Sequence, residues 1–147
     1  MSSGQQLCTF FVDGLFLGVE VEKVQEVIRY QEMTRVPLAP GVIGGLINLR
    51  GQIVTAVDLR KRLDLNERPV DDFPMNVVVR TDDGAMSLLV DDIGDVVEVD
   101  ERSFESAPDT LTGVTRELIR GVYKLDKQLL LLLDTGEAVR PAAPHAA

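Results

Sequence analysis

The residues best placed to do chemistry are two aspartates. Asp134 follows Leu132-Leu133 and precedes Thr135-Gly136, an apolar pair leading into a loop of small residues. Two such loops face to face let a pair of carboxylates share one proton and activate a water. An internal repeat supplies the second carboxylate, Asp58, so one alternative is an aspartic hydrolase using Asp58 and Asp134. Three features oppose it. Asp58 is followed by Leu59-Arg60, not by small residues. Only 11 residues follow Gly136, too few for a flap over a cleft. Each aspartate also has a plainer role. Asp134-x-x-Glu137 reads as a capping box at the start of a helical turn, and Asp58 caps a helix in the same place.

No other set of residues reads as catalytic, and no cofactor or metal is expected. The single histidine, His145, lies in a Pro/Ala-rich tail, residues 141–147, where disorder is expected. One cysteine, Cys8, and one histidine make no thiolate or imidazole metal site. Cys8 sits in an apolar run and reads as a buried core residue. The acids Asp91, Asp92, Asp95, Glu98, Asp100 and Glu101 lack the spacing of a calcium loop and read as a solvated face. Gly41-x-x-Gly44-Gly45 has no following Lys-Ser/Thr and is no phosphate loop. The chain reads as a binding protein.

Arg50 is the residue that invites a binding role. It stands in Asn48-Leu49-Arg50-Gly51, at a turn between two apolar runs, in a strongly acidic chain. One reading is a turn residue in water. The other is a fork of donors aimed at a partner's carboxylate or carbonyls.

The elements that position these residues are strands. Hydrophobic residues are 45% of the 147 and aromatics only 5%, so the core is aliphatic. A chain of this length buries roughly 70% of its unfolded surface and needs no staple. Asp13-Gly14 joins two apolar runs, residues 7–12 and 15–21, as a type I′ hairpin. A tight turn and a strand over residues 26–35 follow. The segment Val36-Pro37-Leu38-Ala39-Pro40-Gly41 is a connector, because two prolines cannot donate to a ladder. Residues 42–49 and 52–57 flank Arg50-Gly51, where Gly51 takes the positive φ of a bulged hairpin turn. Asp58 starts a short helix with Leu59 and Leu63 on one face. Residues 66–74 are polar and proline-rich and divide the halves. Strands are then expected over 75–80, 85–90, 94–100, 118–125 and 128–133, with 106–115 as a connector.

The second half repeats the first. Residues 45–58 lie on 121–134 at a constant offset of 76, with Gly45/Gly121, Leu49/Leu125, Gln52/Gln128 and Asp58/Asp134 identical. Val21 lies on Val90 at an offset of 69. This predicts an all-β fold with short helical turns. Its parts are two five-stranded SH3-like antiparallel barrels, at residues 7–66 and 67–140, with a groove between them.

Charge and hydropathy bound the partners. Lys plus Arg number 15 and Asp plus Glu 24, a net charge of −9. Such a surface repels phosphate backbones and anionic lipid, so no nucleic acid is expected as a partner. No signal peptide and no apolar run of about 20 residues is visible, so no direct membrane insertion and a cytoplasmic location are expected.

Lys23-Val24-Gln25-Glu26-Val27, Thr34-Arg35-Val36-Pro37, Ile43-x-Gly45-Leu46-Ile47-Asn48-Leu49-Arg50-Gly51 and Ala56-Val57-Asp58-Leu59-Arg60 together resemble the CheW family, the coupling proteins of bacterial chemotaxis. The resemblance runs from about residue 7 to residue 139. It implies two SH3-like barrels around a shared core and a stand-alone, non-catalytic adaptor in two-component signal transduction. The implied partners are the cytoplasmic tip of a chemoreceptor (a methyl-accepting chemotaxis protein) and the regulatory domain of a CheA-type histidine kinase. The implied place is the membrane receptor array. Position by position, Val24, Glu26, Gly45 and Arg50, with Asn48 and Gly51 of the same motif, fall on receptor- or kinase-coupling positions. Val77 and Val96 fall on apolar positions facing the receptor groove, and Val21 on the strand region that meets the kinase. Thr55-Ala56 departs from the apolar-Pro pair common before Val-Asp-Leu. Relatives in surface-motility or developmental pathways look nearly the same, which leaves an adaptor with little kinase contact as the alternative.

Overall fold

A computed structural model of the chain describes residues 4–111 and 113–142. Eleven strands and three short helices follow in the order β1 (Gly4–Val12), β2 (Leu15–Glu20), β3 (Val24–Ile28), β4 (Ile43–Leu49), β5 (Gln52–Asp58), α1 (Leu59–Arg62), β6 (Met75–Thr81), β7 (Gly84–Val90), β8 (Asp92–Asp100), β9 (Phe104–Glu105), α2 (Gly113–Leu118), β10 (Ile119–Lys124), β11 (Leu129–Leu133) and α3 (Thr135–Val139). A 3-10 turn, Val21–Lys23, separates β2 from β3, and another, Glu101–Ser103, precedes β9. The fold is mainly β, as the alternating apolar runs predict.

The strands form two sheets with one plan. The five-stranded sheet runs β3-β6-β7-β5-β4, and the six-stranded sheet runs β8-β1-β2-β11-β10-β9. Both repeat offsets hold strand by strand. Thr55 pairs with Met86 across the parallel junction of β5 and β7, and its counterpart Leu131 pairs with Leu17 across β11 and β2. Ile28 pairs with Asn76, and its counterpart Val97 pairs with Leu7. The bridge of Thr34 to Leu46 matches the pairing of β9 with β10.

One feature of this plan departs from the reading of the halves. Each sheet is completed by the other half's hairpin: β1–β2 lies among the C-terminal strands and β6–β7 among the N-terminal ones. The boundary between residues 66 and 67 therefore separates the two sequence repeats and not the two sheets. The physical cause is that pairing partners are chosen by exposed backbone edges and apolar faces, which do not record the half they come from.

Three apolar clusters explain why the sheets curl. Ile28 of β3 packs with Ile47 and Leu49 of β4 around Val54 and Val78, so opposite edges of the five-stranded sheet meet over one interior. Val97 and Val99 of β8 meet Tyr123, Leu130 and Leu132 inside the other sheet. The largest cluster takes Phe10, Leu17, Val57, Leu59, Val77, Leu88 and Leu133 from both sheets and lies between them. The interior of the five-stranded sheet also holds a polar pair. Asn76 donates to Arg29 O at 3.1 Å and accepts from Ser87 Oγ at 2.7 Å, so its amide is paired although fully buried.

Local expectations meet several corrections. β3 ends at Ile28, and residues 29–33 form no strand, so the expected strand over 26–35 is far too long. Residues 113–118 form α2 ahead of the predicted strand, with Leu118 buried. Leu59 and Leu63 are buried together, as their spacing predicts. Pro141 and Ala142 belong to a 3-10 turn, Arg140–Ala142; the rest of the tail, including His145, lies outside the described residues.

Asp91 corrects the reading of the acids as one solvated face. Arg60 grips it with Nε at 2.9 Å from Oδ1 and Nη2 at 2.6 Å from Oδ2. Arg68 Nη2 adds 3.0 Å to Oδ1, and the Asp13 N–H donates to Oδ2 at 2.6 Å. Arg60 also lies 3.5 Å from Asp13 and Arg68 3.7 Å from Asp58. This network ties the β1–β2 turn, α1, the linker and the end of β7. Burial pushes the Asp91 carboxyl up, but the bonds from Arg60, the Asp13 N–H and Arg68 outweigh it and hold the group below the usual carboxylate range. Its stabilisation is therefore complete above the ordinary carboxylate pKa of about 3.9 and is lost as pH falls through the depressed native value. Replacing Asp91 by Asn should cost about 1.5–3 kcal/mol at neutral pH. Urea melts of both proteins, repeated toward acid, should show that difference shrinking as pH drops below the ordinary value.

Candidate functional site

The Arg50 turn is a two-residue type I′ loop. Leu49 pairs with Gln52 across it, and both central residues have positive φ, +52° at Arg50 and +88° at Gly51. The extra bulge residue expected from sequence is absent. This loop matches the right-handed twist of its strands. Asn48 Oδ1 accepts the Gly51 N–H at 2.9 Å and fixes the loop's shape. A left-handed conformation at arginine is unfavourable by roughly 1–2 kcal/mol, so the loop is held by its neighbours and not by Arg50's own preference.

That conformation carries Arg50 across the seam of the barrel. β3 and β4 are the two edge strands of the five-stranded sheet. Arg50 Nη2 donates to Glu26 Oε2 on β3, so a turn from one edge is joined to the other edge. The Arg50 side chain is still 71% exposed, while Glu26 is 20% exposed. An ion pair this open contributes little to stability. Its effect is positional: a guanidinium with further donors is presented to solvent at a defined place.

The second barrel has no such device. The repeat offsets place Asp126 on Arg50 and Asp95 on Glu26, two acids where the first barrel has an ion pair. The candidate site is thus on one barrel.

The other residues singled out by sequence divide into three groups. Val24 and Val21 lie beside Glu26, in β3 and in the 3-10 turn before it, both half-buried. Gly45 is buried and serves the backbone: at its φ of +152° an added Cβ would lie 2.8 Å from Thr34 O. Val77 is 1% exposed and belongs to the core between the sheets, so it offers no surface to a partner; the groove-facing position that the resemblance implied for it is not exposed, because β6 is covered on both faces. Val96 is 57% exposed, but on β8 of the other sheet, away from the Arg50 turn in the strand order.

One residue beside the turn escaped the reading. Ile53, 61% exposed, stands opposite Asn48 in the ladder. Period-two alternation, with Val54 and Ala56 buried, would have placed it outward. Together with Met33, Thr34, Leu46 and Asn48 it lines an open groove of about 420 Å³ beside β4, where Thr34 bridges to Leu46. An exposed apolar side chain, a groove and a fork of donors are the usual parts of a protein-binding surface.

Asp58 and Asp134 act as helix caps and not as a dyad. Asp58 Oδ1 accepts from the Arg60 N–H at 3.0 Å, and Asp134 Oδ1 from the Glu137 N–H at 3.1 Å. The returning half of the expected capping box is not made, because the Asp134 N–H donates to Leu118 O at 2.8 Å; Glu137 pairs instead with Arg140 at 3.1 Å. Among the described residues no cluster of His, Cys, Asp or Glu could hold a metal. Burial pushes the Cys8 thiol up, which disfavours the reactive thiolate.

These magnitudes can be checked on the turn. Gly51→Ala should cost about 1 kcal/mol, since alanine resists positive φ, and Asn48→Ala about 0.5–1.5 kcal/mol. A double-mutant cycle on Glu26 and Arg50 in urea should return a coupling of only about 0.2–1 kcal/mol.

Comparison with known proteins agrees with this geometry. A family model described as CheW-like domain matches residues 6–142. The chemotaxis protein CheW of Bacillus subtilis (strain 168) is 31% identical over 147 residues, covering 100% of this chain and 94% of its own. The CheW protein of Treponema pallidum (strain Nichols) is 29% identical over 133 residues, covering 88% of this chain and 78% of its own. Among solved structures, the scaffolding protein TtCheW of Thermoanaerobacter tengcongensis superposes with a TM-score of 0.80 at 27% identity, covering 88% of both chains. With two repeats of one strand plan, a one-sided arginine turn and a match from end to end of the described fold, the chain belongs to the CheW family.

Proposed function

We propose that this protein is a non-catalytic scaffold of chemotaxis signal transduction, coupling the cytoplasmic tip of a chemoreceptor to the regulatory domain of a CheA-type histidine kinase. Family membership supports the coupling role. The observation that carries the binding surface is Arg50, held across the barrel seam by Glu26 and still 71% exposed. Glu26, Asn48, Arg50 and Gly51 form its polar part. Val21, Val24 and Ile53 form its apolar part, and Val96 offers a separate apolar point on the other sheet. Among the described residues no helix is long and apolar enough to cross a membrane. Recruitment to a cytoplasmic receptor array would therefore run through protein contacts.

Co-sedimentation of the purified chain with receptor-tip assemblies and with the kinase regulatory domain, separately and together, tests this. Binding of both, and a ternary complex, is the expected result; binding to neither would refute the scaffold role. Binding to the receptor alone would point to an adaptor with little kinase contact. Arg50→Ala should weaken the partner that meets this turn by about 1.5–3 kcal/mol, roughly 10- to 150-fold in Kd. Cooperative unfolding should persist in that variant. Unchanged affinity for both partners would reduce Arg50 to a turn residue.

A further inference from the structure

The corner that Arg60 fills in the first repeat is open in the second. The repeat offsets place Thr135 on Leu59, Gly136 on Arg60, Asp82 on Asp13 and Glu22 on Asp91. In the first corner the Arg60 guanidinium reaches Asp91 and Asp13. In the second, Gly136 has no side chain, and a cavity of about 180 Å³ remains, lined by Lys23, Arg80, Thr81, Asp82, Thr135 and Gly136.

Two independent observations say what this cavity would hold. First, Thr135 is 2% exposed, and its Oγ1 is buried with no hydrogen-bond partner. A desolvated hydroxyl without a partner costs free energy that a ligand could recover. Second, Lys23 and Arg80 line it with a single acid, Asp82; a second acid, Glu20, pairs with Lys23 from outside the lining. Arg80 is held ready, because its Nη1 donates to the carbonyls of Glu22 at 3.2 Å and Val24 at 3.1 Å. Lys23 Nζ stands 3.2 Å from Glu20 Oε2 as an ion pair, and an ammonium carries three donors. A hydroxyl donor beside an ammonium and a guanidinium suits a carboxylate. The equivalent corner accepts one extended charged side chain, Arg60, which sets the size of the guest.

We propose that this corner is a pocket for one carboxylate, that of an aspartate or glutamate side chain on a protein partner. Arg80, which lines the pocket, donates to the carbonyl of Val24, a residue of the surface argued above. Only the identity of the partner rests on the scaffold reading.

The test begins with sodium acetate as the probe. In ¹⁵N-resolved NMR of the full chain, the Thr135 and Gly136 amides should shift saturably with acetate, but not with sodium chloride at equal ionic strength. Thr135→Val, nearly isosteric, and Arg80→Gln should each weaken acetate binding about tenfold. Gly136→Arg should abolish it by restoring the first repeat's arginine; an added Cβ there meets only Asp134 Oδ1 at 3.6 Å, so the fold has room for it. Equal, linear shifts in both salts would overturn the pocket. Affinity for receptor tip and kinase domain is then compared between wild type and Thr135→Val. A similar loss for one partner supports a guest side chain on that partner. Saturable acetate binding with unchanged partner affinity would overturn that assignment. Failure of the wild type to bind either partner would refute the scaffold role without touching the acetate result.

Discussion

The structure depends on the exchange of hairpins between its two repeats. Each sheet is completed through a parallel junction, β5 with β7 in one and β2 with β11 in the other. A parallel pair cannot be closed by a tight turn, so its strands must come from distant parts of the chain. That constraint interleaves the repeats. It also puts the largest apolar cluster between the sheets, where Phe10, Leu17, Val57, Val77 and Leu88 from both halves are buried together. Neither repeat could keep its sheet intact if the other were removed. The interleaved strands and the shared apolar cluster join the two barrels into one packed body.

Symmetry of the backbone is filled by asymmetric side chains. In the six-stranded sheet Glu20 takes an ion pair with Arg120 at 2.6 Å. At the equivalent place in the five-stranded sheet Leu89 packs on Gly44. The seam carries Arg50 and Glu26 on one side and two acids on the other. The corner is locked by Arg60 in one repeat and left open at Gly136 in the other. Duplication supplies the frame, and the differences between the copies are where binding is to be sought.

The frame also separates stability from recognition. Asp91, gripped by two largely buried arginines, is a structural site whose loss would be felt by the whole fold. Arg50 makes an open pair worth little to folding. Its cost lies in the left-handed turn, which Asn48 and Gly51 hold in place. Strain of that kind is kept where a side chain must point in one direction.

Much of this was legible in the residues alone, because it rests on short-range rules. Asp13-Gly14 and Arg50-Gly51 mark tight turns, Leu59 and Leu63 mark one helix face, and Asp58 and Asp134 mark caps; each is set by neighbours a few residues away. The repeat was legible for the same reason, since its offsets of 69 and 76 are properties of the chain. Hairpin exchange was not, because a strand's sequence specifies its faces but not which distant edge it joins. Val77, expected at a partner-facing position, is core, and Ile53, not singled out by the residues, is surface, since burial belongs to the packed sheet and not to the residue type. Asp91 looked solvated until Arg60 and Arg68 were brought to it from 31 and 23 residues away. The chain by itself determined its turns, its caps and its duplication. Which edges pair, which acids are neutralised and which corner stays open were decided only by tertiary packing, where partners far apart in sequence compete for the same space and charge.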